Sequence, residues 1–519
     1  MKSEEVGLIS QHRQRTTRLK QSCLLIDHGS RPYNNFLEGP INTTSGSNTA
    51  KIISPNGDLI IEHTDPSSTT GKIAWQVSVT SLKENSRYFD AMLDPEKFSE
   101  GRSLAQQLQA LEIKAESQPG SSFDSGNEIS LPVIQFSENP VVKLCGTDIL
   151  GLFMKVLCLE SMNDTTNGLF QEALKIENPA TIARLIQVAD SFSSTDRVEH
   201  VLRLVKYQYG PKGKMSISRF DAALVDMKEE RIRQIIFISK LLKDHAIFQV
   251  MTHTLLILGS RFWNNAPEGP DVDSFYWNYL SDNIEEELYY RRQCVMNTIT
   301  DLQAYFMRAY GVLDDPNPRP SPAPNRMLGA AFSTSTQTTQ FQCRGGMGNS
   351  SQCDTFELGQ MIRFFAMRSR TVFLGSNIID PDFNLDPLGS DDGVDFTQQG
   401  PASESIISII STLRRYPDYQ VDSYHGSCGV RRRLLPIIPC IEKYLLDAQA
   451  LLGVDYRIWS SPVSRCEAEW IGGMKNLTVD IRQGIIASIS STSGKLIRFS
   501  TAAEYAKTLF TAKSRNWEA

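Results

Sequence analysis

The stretch from Trp75 to Gly101, WQVSVTSLKENSRYFDAMLDPEKFSEG, constrains this chain more than any other. Trp75, Val77 and Val79 alternate with Gln76, Ser78 and Thr80, the period of a strand with one buried face. Helical spacing follows at once. Ser81-Leu82-Lys83-Glu84 fits a capping box, in which hydroxyl and carboxylate satisfy each other's backbone amides. Ser86 is placed to cap a second helix carrying Phe89, Met92 and Leu93 on one side. Asp94-Pro95 stops that helix, since proline lacks an amide hydrogen and disfavours helix in the residue before it. A strand feeding two short helices predicts a core built on Trp75, Val77, Leu82, Phe89 and Met92.

The flanks extend this unit. Lys51-Ile52-Ile53 and Asp58 to Glu62 are short β-branched runs separated by Ser54-Pro55-Asn56-Gly57, a turn sequence. Beyond Gly101, Leu104, Leu108 and Leu111 keep helical spacing, but Gln118 to Asn127 is a Pro/Gly/Ser loop, so an insertion is expected at about 103–128. A strand is expected at Ile129 to Ile134, then a helix through Ile149, Leu150, Phe153, Met154 and Leu157. A helical pair follows, Pro179 to Phe192 and Thr195 to Tyr207.

With Leu82, Asn85, Ser86, Phe89, Ala91 and Met92 placed as they are, this order resembles the BTB/POZ fold. Phe98-Ser99-Glu100-Gly101 is similar to the F-x-E-G that commonly follows the second helix in that family, and Gly57 to Ile61 to the opening strand of fungal members. The resemblance implies an α+β module, a short mixed sheet flanked by helices, over residues 48–210. It further implies self-association as a homodimer, or docking of a protein partner such as the cullin scaffold of a ubiquitin ligase. For the cullin contact it assigns Phe98 as apolar anchor and Glu100 as polar partner. The insertion after Gly101 and the extra residue in Asp94-Pro95-Glu96-Lys97 fall beside that surface.

The remaining chain is mainly helical in pattern. Residues 1–47 form a polar, basic arm. Residues 211–312 are a helical extension: Arg231 to Leu258 predicts two packed helices, and Ile284 to Tyr310 one longer helix. In the latter, Leu288, Val295 and Leu302 recur every seven residues, which permits a short coiled-coil contact. Residues 313–342, containing PNPRPSPAP, are a Pro/Ser/Thr-rich linker. Residues 343–470 are a mostly helical C-terminal region of unknown type, and 471–519 carry too weak a pattern to assign. Within that region, Tyr416 to Arg433 is similar to a segment found downstream of the BTB domain in a group of fungal proteins.

A formal charge of −6 argues against a chain-wide nucleic-acid surface. Nine irregularly spaced cysteines suit a reducing compartment, and no apolar run approaches the roughly eighteen residues of a membrane span. A cytoplasmic or nuclear protein without membrane contact is expected. Arg431 to Arg433 could grip phosphate, though such a run is more often a solvated helix start. No Walker loop, Rossmann fingerprint, His-Glu-x-x-His or Gly-x-Ser-x-Gly occurs, so no enzyme, catalytic residue or cofactor is expected.

Cys343, Cys353, His425 and Cys428 together could supply the four soft ligands of a structural zinc site. Only the His-x-x-Cys half has a ligand-like spacing, so separate thiols are the expectation and no metal is assigned. The expected function is non-enzymatic protein–protein interaction. Two alternatives stand beside it: a nuclear transcription or chromatin regulator, for which the basic arm would direct import, and a helical scaffold associating through Ile284 to Tyr310.

Overall fold

Alternation around Trp75 produces the central strand of a small mixed sheet. The strands are β1 (Lys51–Ile52), β2 (Leu59–Thr64), β3 (Lys72–Val77) and β4 (Val133–Phe136), in the order β1-β3-β2-β4. β2 and β3 are antiparallel with Ile61 opposite Trp75, while β1 runs parallel to β3 and β4 parallel to β2. This computed structural model describes residues 50–64, 71–116, 131–136, 139–263, 274–310, 342–343, 349–366, 404–459, 470, 478–480 and 495–517. The expected basic arm, the loops at 118–127 and 380–400, and nearly all of the 313–342 linker lie outside the described residues.

β3 passes into α1 (Val79–Asn85) and α2 (Arg87–Met92). The N-cap of α1 is Ser78, whose hydroxyl accepts from the Ser81 amide at 3.4 Å. Ser81 is therefore inside the helix and buried, and the helix starts three residues before the point that the capping-box pattern indicated. Two overlapping cap sequences share this stretch, and the one nearer the strand takes the helix start. Ser86 does cap α2, accepting from the Phe89 amide at 3.3 Å while donating to the Phe192 carbonyl at 3.0 Å. The Asn85 side-chain amide donates to the Leu157 carbonyl at 2.8 Å, so the junction between α1 and α2 is held from two sides.

Then come α3 (Ser99–Glu116), α4 (Pro140–Cys145), α5 (Thr147–Leu157), α6 (Asp164–Lys175), α7 (Pro179–Ser191) and α8 (Thr195–Leu204). α4 and α6 are absent from the sequence reading. Asn139 caps α4 by accepting from Val141 at 2.8 Å, with Pro140 in the first turn where its missing amide costs nothing. α3 covers the first part of the expected insertion, up to residue 116, and lies along β4. The Gln107 side-chain amide donates to the Val133 carbonyl at 3.0 Å and accepts from the Val133 amide at 2.8 Å, as a neighbouring strand would.

Trp75, Val77, Leu82, Phe89 and Met92 are all buried. The Trp75 indole lies against Gly151 of α5, and Phe192 is the hub of an aromatic cluster with ring centroids at 5.0 Å from Tyr88, 5.4 Å from Phe136 and 5.5 Å from Phe153. Pairs at such separations add to the area that they bury.

The helical extension consists of α9 (Glu229–Leu241), α10 (His245–Leu258) and α11 (Ile284–Ala309), close to the two-plus-one pattern expected. α9 packs on α7. Arg233 of α9 forms a buried bidentate pair with Glu285 of α11 at 2.7 and 2.9 Å. Leu288, Val295, Ile299, Leu302 and Phe306 are fully buried within this chain, so the seven-residue stripe of α11 faces its own core.

The chain beyond the linker packs on the same helices. It forms α12 (Ser350–Phe364), α13 (Ile406–Arg414), α14 (Arg431–Leu434), α15 (Ile438–Leu445), α16 (Tyr456–Trp459), β5 (Thr478–Asp480), α17 (Lys495–Thr511) and β6 (Ser514–Asn516), with β5 and β6 parallel. His253 of α10 faces Leu445 and Leu452, and Arg291 of α11 donates to the Leu452 and Gly453 carbonyls at 2.9 and 2.7 Å. Gly453 can hold no side chain, since a Cβ would lie 2.0 Å from the Gln249 carbonyl oxygen. α17 packs on α11, and Arg515 reaches Asp301 at 3.2 Å. The architecture is α+β and mostly helical, with a four-stranded mixed sheet in the N-terminal part and the two-stranded β5–β6 sheet near the C-terminus.

Candidate functional site

Phe98 and Glu100 stand at the start of α3. The turn after α2 is closed by Lys97 and Phe98 amides donating to the Asp94 carbonyl, each at 3.2 Å, and by a Lys97–Asp94 ion pair at 2.9 Å. Gly101 fixes the bend, because a Cβ there would lie 2.4 Å from the Asp94 carbonyl. Phe98 is 48% exposed, so it does not staple this turn into the core. Glu100 is half-buried and accepts from the Ser99 hydroxyl at 2.8 Å. The two residues thus share one turn, with the aromatic group presented to solvent.

A second constellation lies in the C-terminal region, where two distant sequence segments converge. Cys343 is positioned by Asp354, whose carboxylate accepts from the Gln342 and Cys343 amides at 2.7 and 2.8 Å. Cys353 sits in the first turn of α12, its amide donating to the Asn349 carbonyl at 2.9 Å. His425 ends a one-turn 3₁₀ segment capped by Asp422, which accepts from Tyr424 at 2.8 Å and from His425 at 3.2 Å. The Cys428 amide then donates to the His425 carbonyl at 3.0 Å, a turn that brings both side chains to one side.

The four donor atoms lie within 4.8 Å of one another, with Cys353, His425 and Cys428 buried and Cys343 half-buried. Cys343 Sγ is 3.3 Å from His425 Nδ1 and 3.6 Å from Cys428 Sγ, and Cys428 Sγ is 3.8 Å from His425 Nδ1. Burial raises the Cys353 thiol pKa, and the Cys343 and Cys428 sulfurs beside it raise it further. One turn along α12, burial pushes the Glu357 carboxyl up to about 7, with the Val430 amide opposing and Asp418 and Asp354 adding to the rise. Three thiols and an imidazole form a soft donor set with no carboxylate among them.

The supports of this cluster reach the extension. The Tyr310 hydroxyl at the end of α11 donates to the Cys428 carbonyl at 3.4 Å. Arg433 donates to the Gln342 side chain at 2.6 Å and stacks its guanidinium 5.5 Å from the Phe306 ring centroid. Arg431 donates to the Tyr416 carbonyl at 2.8 Å. Two of the three consecutive arginines therefore have partners within the chain, and Arg432 alone of the three is exposed.

Sequence reasoning named all four members of this cluster but had no route to their convergence, since the His-x-x-Cys turn and the two earlier cysteines are brought together by tertiary contacts such as Arg433 with Gln342 and Phe364 with Tyr416. Among the described residues no helix is long and apolar enough to cross a membrane. Compared with family models, with curated proteins and with solved structures, the chain matches none.

Proposed function

We propose that this chain is a non-enzymatic protein–protein interaction protein of BTB/POZ type, in which the module of residues 50–210 docks a protein partner through the turn carrying Phe98 and Glu100. The observation that carries this reading is a phenylalanine left 48% exposed on a bend that Gly101 makes obligatory. Three strands, a helix pair, the helix α3, a fourth strand parallel to β2 and further helices, in that order, support the BTB/POZ resemblance.

Covering the remaining half of a phenylalanine is worth roughly 1 kcal/mol, too little for a stable complex alone. Phe98 is then an anchor whose neighbours, Glu100 among them, complete the contact. The resemblance makes a cullin scaffold the first partner to test, with self-association the other form of the same reading. The α11 stripe is occupied internally, which favours the module over that helix as the docking element.

The test is affinity purification of tagged full-length chain, wild type against Phe98→Ala and Glu100→Ala, under conditions that preserve ligase complexes. Recovery of a cullin with wild type and its loss with the variants supports the adaptor form. Absence of any cullin with wild type sinks it, and a monomer by light scattering sinks the homodimer form. Because Phe98 is half in water, its replacement is expected to lower stability by no more than about 1 kcal/mol.

A further inference from the structure

We propose that Cys343, Cys353, His425 and Cys428 bind one zinc ion in a closed, structural Cys₃His site. The distances carry the inference. Zinc lies about 2.3 Å from a thiolate and 2.0–2.1 Å from an imidazole nitrogen, so the edges of its tetrahedron are about 3.8 Å between sulfurs and about 3.5 Å from sulfur to nitrogen. The separations here are 3.6 Å between Cys343 and Cys428 sulfurs, and 3.3 and 3.8 Å from those sulfurs to His425 Nδ1. These three atoms have the spacing of a coordination shell before any ion is placed, and Cys353 Sγ lies within 4.8 Å of each of them, as the fourth ligand.

Other occupants fit less well. A disulfide needs sulfurs about 2.05 Å apart, and the Cys343–Cys428 pair at 3.6 Å is not bonded. Calcium and magnesium take oxygen ligands, of which the donor set has none. Thiolate and imidazole in a four-membered set select zinc, and a full set of protein ligands leaves no open position for substrate or reactive water.

The surroundings are those of a structural site. Asp354 holds the Cys343 backbone and Asp422 the His425 backbone, so each ligand segment is fixed by a carboxylate that is not itself a ligand. The ion would tie the start of α12 to the turn before α14, with residues 354–424 lying between Cys353 and His425 in sequence, and hold that turn against Tyr310 at the end of α11. Joining segments that far apart confines the unfolded chain as a long-loop crosslink does.

The test uses purified full-length chain from zinc-supplemented medium, with metal content measured directly. About one zinc per chain is expected, and chelation should lower the thermal midpoint. Reduced, metal-free chain titrated with Co(II) should show thiolate-to-cobalt charge transfer in the near ultraviolet and the strong visible bands of tetrahedral cobalt. Cys353→Ser and Cys428→Ser should lose stoichiometric zinc, whereas His425→Cys, which offers a Cys₄ set, should keep it. Less than about a tenth of an equivalent of zinc with no tetrahedral cobalt spectrum overturns the proposal. So does zinc that stays at full occupancy when Cys353 and Cys428 are both replaced by serine. The wild-type metal content and cobalt spectrum decide the matter even if a variant fails to fold.

Discussion

Arg233 and Glu285 form a bidentate ion pair in which each side chain is only 1% exposed. Burial works against the Arg233 charge, and the hydrogen bonds and charges of Glu285 and Glu229 more than offset it, so its pKa is raised. Glu285 also accepts from Trp263 Nε1 at 2.6 Å and the Leu280 amide at 2.9 Å. Removing one partner leaves a desolvated charge, so Arg233→Ala is expected to destabilise by about 3–5 kcal/mol. The double replacement Arg233→Met, Glu285→Leu should recover only part of this, because Trp263 and Leu280 lose their acceptor. Denaturant midpoints of the three proteins check both statements.

His253 predicts an acid limb in stability. Its Nε2 donates to the Leu445 carbonyl at 3.1 Å, its Nδ1 accepts from the Leu452 amide at 3.2 Å, and Phe220 stands edge-on at 4.5 Å. Burial holds its pKa down at about 3 against 6.5 unfolded, with Arg291 adding to the fall and the Leu445 carbonyl opposing. The unfolded chain binds the proton first, so this group's contribution is full above about pH 6.5 and is lost as pH falls toward 3. The expected slope is about 1.4 kcal/mol per pH unit for one proton. Unfolding midpoints from pH 7 to about 4 should fall less steeply in His253→Gln than in wild type.

Ser86 has two duties, capping α2 and donating to Phe192. Ser86→Ala removes both and leaves the Phe192 carbonyl with one donor fewer, that of the Ser194 hydroxyl at 2.8 Å remaining. A loss of about 1–2 kcal/mol is expected, measured by chemical denaturation. Ser86→Asp, which keeps the cap but cannot donate when ionised, should not restore the Phe192 bond.

Gly453→Ala tests the seam between α10 and the C-terminal region. The added methyl would meet the Gln249 carbonyl at 2.0 Å, so backbone must move. A cost of about 1–3 kcal/mol or more is expected, with faster amide exchange at Leu452 and Val454, whose amides bond His253 and Thr252 across the seam.

Which features could be read in advance follows from how local their causes are. The strand at Trp75, the break at Asp94-Pro95, the Ser86 cap and helices α7 to α11 each rest on contacts within a few residues, and sequence periodicity records such contacts directly. The Ser78 start of α1 was hidden because Ser81-Leu82-Lys83-Glu84 presents an equally good cap, and only the strand before it decides between them. β4 was expected at Ile129 to Ile134 and runs from Val133 to Phe136, since Pro132 can offer its carbonyl to Ile60 but has no amide hydrogen to give the ladder. α17 was invisible because its alternation is weak; it packs on α11, and Arg515 of β6 links the two by donating to the Leu509 and Phe510 carbonyls of α17 and pairing with Asp301 of α11. For the cysteine and histidine cluster, chemistry was readable and convergence was not: no local signal joins Cys343 to His425 across the residues between them.

The amide of Gln107 has a consequence for assembly. By taking the outward donor and acceptor of Val133, it terminates the sheet at β4 with a side chain in the role of a missing strand. A polypeptide that recognises sheets by adding a strand would have to displace it there. The opposite margin is different: β1 is two residues long, with Lys51 and Ile52 exposed, and it covers only the Trp75–Gln76 end of β3. Growth of this sheet by another chain is therefore plugged past β4, and Gln107→Ala should make that side competent for strand exchange.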